Sequence, residues 1–156
     1  MSISVVDKNC YNKKIEKKKR VMVFGTFDGL HRGHLDFFKQ AKNFIENSFL
    51  IVSIARDKNV IKIKKKKPKL SEKERFGLVE KCQIIDKVVL AGKDKYLAHI
   101  LKEKPDIIAL GYDQKAYVEE LKRDLKREGI LIKIIRLKPY KKHIYKNHLI
   151  HKKNLV

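Results

Sequence analysis

Cysteine is scarce: the 156-residue chain has two, Cys10 and Cys82. Two thiols cannot build a disulfide framework, and this usage points to a reducing compartment. No apolar run approaches the roughly 18 residues that cross a bilayer. The stretch before Val21 holds no continuous apolar segment of the kind a secretory signal requires. Acidic residues are few, 18 Asp and Glu against 39 Lys and Arg, for a formal net charge of +21. Arginine, which reads phosphate and guanine bidentately, is the minor partner among the basic residues. Zinc-finger spacing, an RNA-recognition signature and a basic-zipper pattern are all missing. A secreted mini-protein, a membrane protein and a multidomain enzyme are thereby excluded. A small basic domain remains, expected in the cytoplasm.

Apolar residues make up 43% of the chain, enough for a real core. The lysines fall in runs: Lys13-Lys14, Lys17-Lys18-Lys19, Lys64 to Lys67 and Lys141-Lys142. Most read as a solvated surface. A field of this sign still concentrates a polyphosphate. A nucleic acid is not the expected partner, because nothing but charge argues for one.

Residues 1–19 read as a basic tail and 20–156 as a single domain, without repeat or linker. Val21-Met22-Val23-Phe24 ends in Gly25 and suits a buried strand. A turn over 26–32 leads to a helix whose face is Leu35, Phe38, Ala41 and Ile45. A second strand is expected over 49–54 and a basic loop over 62–69. Ser71 and Glu74 form a capping box, so a helix begins near Glu72 with Phe76, Val79 and Cys82 inward. Further strands are expected over 84–90, 106–110 and 130–137, with helices over 96–102 and 115–128. Gly129 stops the last helix. Continuous apolar strands alternating with helices predict an α/β domain, a doubly wound, Rossmann-like five-stranded parallel sheet. Ligands of such folds bind beyond the carboxyl ends of the strands, here near 25–34, 55–59 and 111–114.

The first of these places reads Gly25-Thr26-Phe27-Asp28-Gly29-Leu30-His31-Arg32-Gly33-His34. It is neither a dinucleotide fingerprint nor a P-loop, since no Gly-Lys-Ser/Thr end follows. Gly25 lets a ligand approach the strand end. His31 and His34 share a face on a first helical turn, and Gly33 leaves that face open. Helix N-terminal N–H groups add positive partial charge. Two imidazoles with that dipole suit a phosphate that gains charge. Metal ligation by the pair would want a third ligand at suitable spacing, and none is evident.

This decapeptide resembles the G-T-F-D-x-x-H-x-G-H signature of the cytidylyltransferase-like nucleotidyltransferases. Ala55-Arg56-Asp57-Lys58-Asn59-Val60, Lys67-Pro68, Glu74-Arg75 and Asp86-Lys87-Val88-Val89-Leu90 are similar to the archaeal FAD synthase branch of that family. So are Gly111-Tyr112-Asp113-Gln114, with the strand before it, and Arg136-Leu137-Lys138-Pro139-Tyr140. The likeness covers about residues 20–142. It implies transfer of AMP from ATP to FMN, giving FAD and pyrophosphate, with a divalent metal ion (Mg or similar) accompanying ATP. It also implies roles. Thr26 and Phe27 would hold phosphates and ribose, and His31 and His34 would bind the triphosphate and stabilise the transition state. Arg32 and Gly33 would complete the turn through the backbone. Asp113 would contact the nucleotide, Tyr140 would cover it, and Lys65, Lys66 or Lys67 would neutralise phosphate charge.

Each residue also has a plainer reading. Phe27 and Cys82 suit a core, Asp28 a tight turn, Asp113 a helix N-cap, Arg75 a surface charge and Tyr140 an exposed tail. The relatives that act on glycerol phosphate carry an R-T-x-G-I-S-T-like segment, where this chain has Asn147-His148. The alternative activity, a cytidylyltransferase making a CDP-alcohol from CTP and a phosphoalcohol such as glycerol 3-phosphate, is disfavoured by that departure. The expected partners are ATP, FMN and pyrophosphate, no membrane, and a homodimer is left open.

Overall fold

A computed structural model describes residues 16–93 and 95–140. Ten elements follow in order: β1 (Lys19–Gly25), α1 (Arg32–Asn43), β2 (Ser48–Ile54), α2 (Asp57–Lys64), α3 (Glu72–Glu80), β3 (Lys87–Leu90), α4 (Tyr96–Glu103), β4 (Ile107–Leu110), α5 (Val118–Arg127) and β5 (Lys133–Arg136). The five strands form one parallel sheet in the order β3-β2-β1-β4-β5. The expected doubly wound sheet is therefore present. Its order reverses between β1 and β4, and that reversal opens a crevice at the carboxyl ends of these two strands.

Strand periodicity divides the core in two. Val21 and Val23 of β1, with Leu50, Val52 and Ile54 of β2, pack under Phe38 and Ala41 of α1 and Val79 of α3. Met22, Ile51 and Ile108 point the other way, against Ile100 of α4 and Leu121 and Leu125 of α5. Both faces of the central strands are covered, which is why their sequences run apolar without a break.

Several boundaries differ from expectation. The strand begins at Lys19, inside the segment read as a tail, while 1–15 lie outside the described residues. The first part of the basic loop is helix α2, whose charged surface hid its single buried apolar residue, Val60. Leu35 is 41% exposed, not buried; the buried residues of α1 are Phe38 and Ala41, with Phe37 packed beside them. The capping box is present in full: Ser71 Oγ accepts from Glu74 N, and the Glu74 carboxylate accepts from Ser71 N. Asp113 is not the N-cap of α5, which starts later, at Val118 behind Tyr117. The edge strands β3 and β5 are four residues each and half exposed. No helix among the described residues is long and apolar enough to cross a membrane.

Candidate active site

The crevice between β1 and β4 is a cleft of about 180 Å³. Phe24, Gly25, Thr26 and Phe27 form its floor at the end of β1, and His31, Gly33 and His34 its wall at the start of α1. Gly111, Tyr112, Asp113 and Gln114 close the β4 side, and Lys138, Pro139 and Tyr140 the far side. Seven expected residues are thus brought together: Thr26, Phe27, His31, Gly33, His34, Asp113 and Tyr140. Arg32, Lys65 and Lys66 do not line the cleft. Lys65 ends α2 in a left-handed C-cap, and Lys64, one residue earlier, supplies the cleft's cation from that side.

The two imidazoles stack, with ring centroids 3.8 Å apart and planes 23° from parallel. They have different jobs in the backbone. His31 is the N-cap of α1: its Nδ1 accepts from Gly33 N at 3.1 Å and from His34 N at 3.4 Å. These N–H groups, read from sequence as free for a phosphate, are therefore spent on the cap. The capping bond also fixes the proton of a neutral His31 on Nε2. His34 sits deeper. Its Nδ1 is buried without a hydrogen-bond partner. Burial first, then the charges of His31 and Lys64, push its pKa down to about 4, against a hydrogen bond to the Gly29 backbone. At neutral pH His34 is an uncharged imidazole, able to donate a hydrogen bond without carrying a buried charge.

Phe27 explains why the pair stands where it does. Its backbone is left-handed, φ 52°, a conformation that disfavours any side chain. Its ring is 4% exposed and lies edge-on to His34 at 5.3 Å, with Phe38 behind it at 5.1 Å. Gly25 has no Cβ because the Phe27 ring occupies that space: an added Cβ would come within 2.5 Å of Phe27 Cζ. The close approach expected for a ligand is made by the protein's own aromatic. Phe27 is both core and cleft floor.

On the β4 side the loop is held by side chains whose roles the sequence did not disclose. Gln114 bridges the strand ends, with Gly111 N donating to its Oε1 at 2.7 Å and its Nε2 donating to Phe24 O at 2.8 Å. Arg136 donates through Nη1 to Gly111 O at 2.7 Å and to Gln114 O at 2.8 Å. Asp113 rides on this clamped loop. The only hint was their position, just beyond β4 and at the end of β5.

Two further expectations are corrected. Arg75 is not a surface charge; it is fully buried and donates to Thr26 O, Leu70 O and Asp57 Oδ1. Asp28 does more than favour a turn: its carboxylate accepts from Lys69 N and Leu70 N, each at 2.8 Å. Cys82 is half-buried against the core, and burial raises its thiol pKa. Asn147 and His148 lie outside the described residues.

The depressed His34 pKa has a consequence for stability. Unfolded, a histidine titrates near 6.5; folded, His34 does so near 4. Between these values the unfolded chain binds the extra proton, so stability falls as pH falls. The contribution is complete above 6.5 and reaches at most about 3 kcal/mol. His99, hydrogen-bonded to Ser53 Oγ at 2.9 Å, is also lowered by burial and acts in the same direction. Melting temperature should drop from pH 7 to pH 4, and His34→Asn should flatten part of that drop. An unchanged pH profile in His34→Asn would refute the assignment.

Comparison with known proteins places the cleft in context. A family model described as cytidylyltransferase-like matches residues 22–150. An FAD synthase of Korarchaeum cryptofilum is 42% identical over 124 residues, covering 79% of this chain and 84% of that protein. An FAD synthase of Aciduliprofundum boonei is 40% identical over 121 residues, 78% of this chain and 79% of the relative. Among solved structures, a lipopolysaccharide core biosynthesis protein from Thermoplasma volcanium superposes with a TM-score of 0.72 at 34% identity, covering 80% of this chain and all of that one.

Proposed function

The chain belongs to the cytidylyltransferase-like family, and from that premise we propose that it is an FMN adenylyltransferase, moving AMP from ATP to FMN and releasing pyrophosphate. One observation carries the reading: a stacked imidazole pair at the switch point of a chain about 40% identical to FAD synthases. The triphosphate enters the cleft over the His31 and His34 face, with Lys64 beside it. Thr26 and Phe27 support phosphates and ribose, Gly33 keeps the helix start low, and the Arg32 backbone continues it. Asp113 meets the nucleotide from the β4 side and Tyr140 covers it. Lys65 and Lys66 contribute only a diffuse positive field at the mouth.

The nucleophile is a phosphate oxygen of FMN, already ionised at neutral pH, so no general base is needed. It attacks the α-phosphorus in line, forming one P–O bond while the bond to the β-phosphate oxygen breaks and pyrophosphate leaves. Negative charge grows on the leaving pyrophosphate. In this reading the His31 and His34 imidazoles donate to it, and being uncharged at rest His34 needs no counter-ion before substrate arrives. A divalent ion of the magnesium kind comes as part of the metal–nucleotide substrate, neutralising phosphate oxygens. Among the described residues no group of three or more His, Cys, Asp and Glu side chains could hold one, and the Asp28 carboxylate is occupied by backbone amides. A cytoplasmic location belongs to the same proposal, with neither membrane nor nucleic acid as partner.

Radiolabelled ATP or CTP, offered with FMN and magnesium, tests this directly. FAD and pyrophosphate should form in equal amounts from ATP. Turnover of CTP with glycerol 3-phosphate, and no FAD from ATP, would establish the cytidylyl reading instead.

A further inference from the structure

Arg75 is the largest fully buried side chain among the described residues, at 0% exposure. A guanidinium in that position is expensive to desolvate unless every donor is matched, and an apolar residue of similar volume would often serve the core as well. Each of its three nitrogens has an acceptor: Nη1 donates to Thr26 O at 2.7 Å, Nη2 to Asp57 Oδ1 at 2.6 Å and Nε to Leu70 O at 3.2 Å. Three separate segments meet at this one group, and one of them is the cleft floor.

The other two form a frame. The N-termini of α2 and α3 cap one another, Asp57 N donating to Glu72 Oε2 at 3.0 Å and Glu72 N to Asp57 Oδ2 at 3.3 Å. Arg56 pairs with the same Glu72 carboxylate at 3.2 Å. The frame reaches the motif at two points, the Asp28 carboxylate on the amides of Lys69 and Leu70, and Arg75 on the Thr26 carbonyl. Between those points lies Phe27, held left-handed with its ring against His34. A strained residue persists only where its neighbours over-determine it.

We propose that Arg75 is a positioning residue for the transfer: by gripping the Thr26 carbonyl it keeps Phe27 in the left-handed conformation that seats the His34 imidazole. The inference rests on the adenylyl-transfer reading for its kinetic arm only. Arg75 touches no reacting atom. It acts from behind the floor, through one peptide and one ring, on the orientation of a donor.

The test uses the full chain and three variants. Arg75→Lys keeps a cation for Asp57 but cannot span all three acceptors. Asp57→Asn is isosteric; it removes the charge facing the guanidinium and weakens the cap on Glu72 N, without truncating either contact. Leu125→Ala removes core packing on the opposite face of the sheet, where α5 packs, and serves as the control for stability loss alone. Misplacing a donor should lower kcat by about 10²-fold in Arg75→Lys. Asp57→Asn should do the same to a smaller degree, with KM for FMN unchanged in both. Leu125→Ala should lose melting temperature and keep kcat. The spectroscopic arm is the imidazole titration of His34 by NMR, assigned with His34→Asn. The groups that face it are His31, Lys64, the Gly29 backbone and the Phe27 ring. Releasing Phe27 admits water, so the titration should move up toward the ordinary histidine value in both frame variants and stay put in Leu125→Ala. If both frame variants lose no more kcat than the control, or leave the His34 titration where it was, the proposal is overturned. Should Arg75→Lys yield no folded protein, Asp57→Asn decides alone. If the wild type makes no FAD, the function reading fails, while the titration arm still reads the grip on Phe27.

Discussion

His34→Asn and His31→Asn should each lower kcat for FAD formation by about 10²–10³-fold, the loss typical of one transition-state donor. The choice of asparagine matters, because the two histidines are built differently into the fold. His31 is a helix cap as well as a candidate donor. His31→Ala would remove both roles and cost about 1 kcal/mol of stability besides the rate. Asparagine is a good N-cap, so His31→Asn should keep the melting temperature and lose the rate. The pair His31→Asn and His31→Ala thus separates capping from catalysis. His34 caps nothing, and its variants should be stable at neutral pH and slow. Steady-state kinetics with FMN at saturating ATP, beside thermal melts of each variant, check both. Wild-type turnover in both asparagine variants would remove the imidazoles from the mechanism.

The sheet was legible because its strands announce themselves. Residues 21–24, 49–54 and 106–110 are apolar runs too short for helices and bounded by Gly, Ser or Pro, and a strand buried on both faces has no other way to read. The motif was legible because two histidines bracketing a glycine at a strand end are hard to explain by packing, even though His31 also caps α1 and His34 also packs on Phe27. Other features stayed hidden for physical reasons. Helix α2 buries one residue, Val60, so its sequence carries charge and almost no apolar period. Arg75 looked exposed because a guanidinium is apolar-compatible only when its acceptors are present. Two of its three acceptors are carbonyls, the oxygens of Thr26 and Leu70, which no residue name reveals. The work of Gln114 and Arg136 is hidden in the same way, since the groups they hold are chiefly backbone. Lys64 was passed over for Lys65 and Lys66 because a lysine run does not show where its helix ends. The left-handed turn at Lys65 decides it, leaving Lys64 as the last lysine on the helix and toward the cleft.

Gly25→Ala is the smallest change with a large expected effect. The new Cβ would stand 2.5, 2.7 and 2.9 Å from Cζ, Cε2 and Cε1 of Phe27, distances that carbon atoms do not tolerate. The ring has nowhere to retreat. Phe38 lies behind it, His34 beside it, and the left-handed backbone fixes its direction. Overpacking of this kind costs about 1–3 kcal/mol. Because the displaced ring is the one that seats His34, the rate should fall too, by about 10²-fold for a shift near 1 Å. A double mutant separates the clash from any other effect of the methyl group. Phe27→Leu shortens the offending side chain, so Gly25→Ala combined with Phe27→Leu should be less destabilised than the sum of the two single changes, by about 0.5–3 kcal/mol for directly contacting residues. Its rate should stay low, since a leucine cannot offer His34 an aromatic wall. Denaturant melts give the coupling energy and FAD formation gives the rate. Additive stabilities, or a Gly25→Ala protein with full activity, would mean that the glycine serves the backbone and not the ring that covers it.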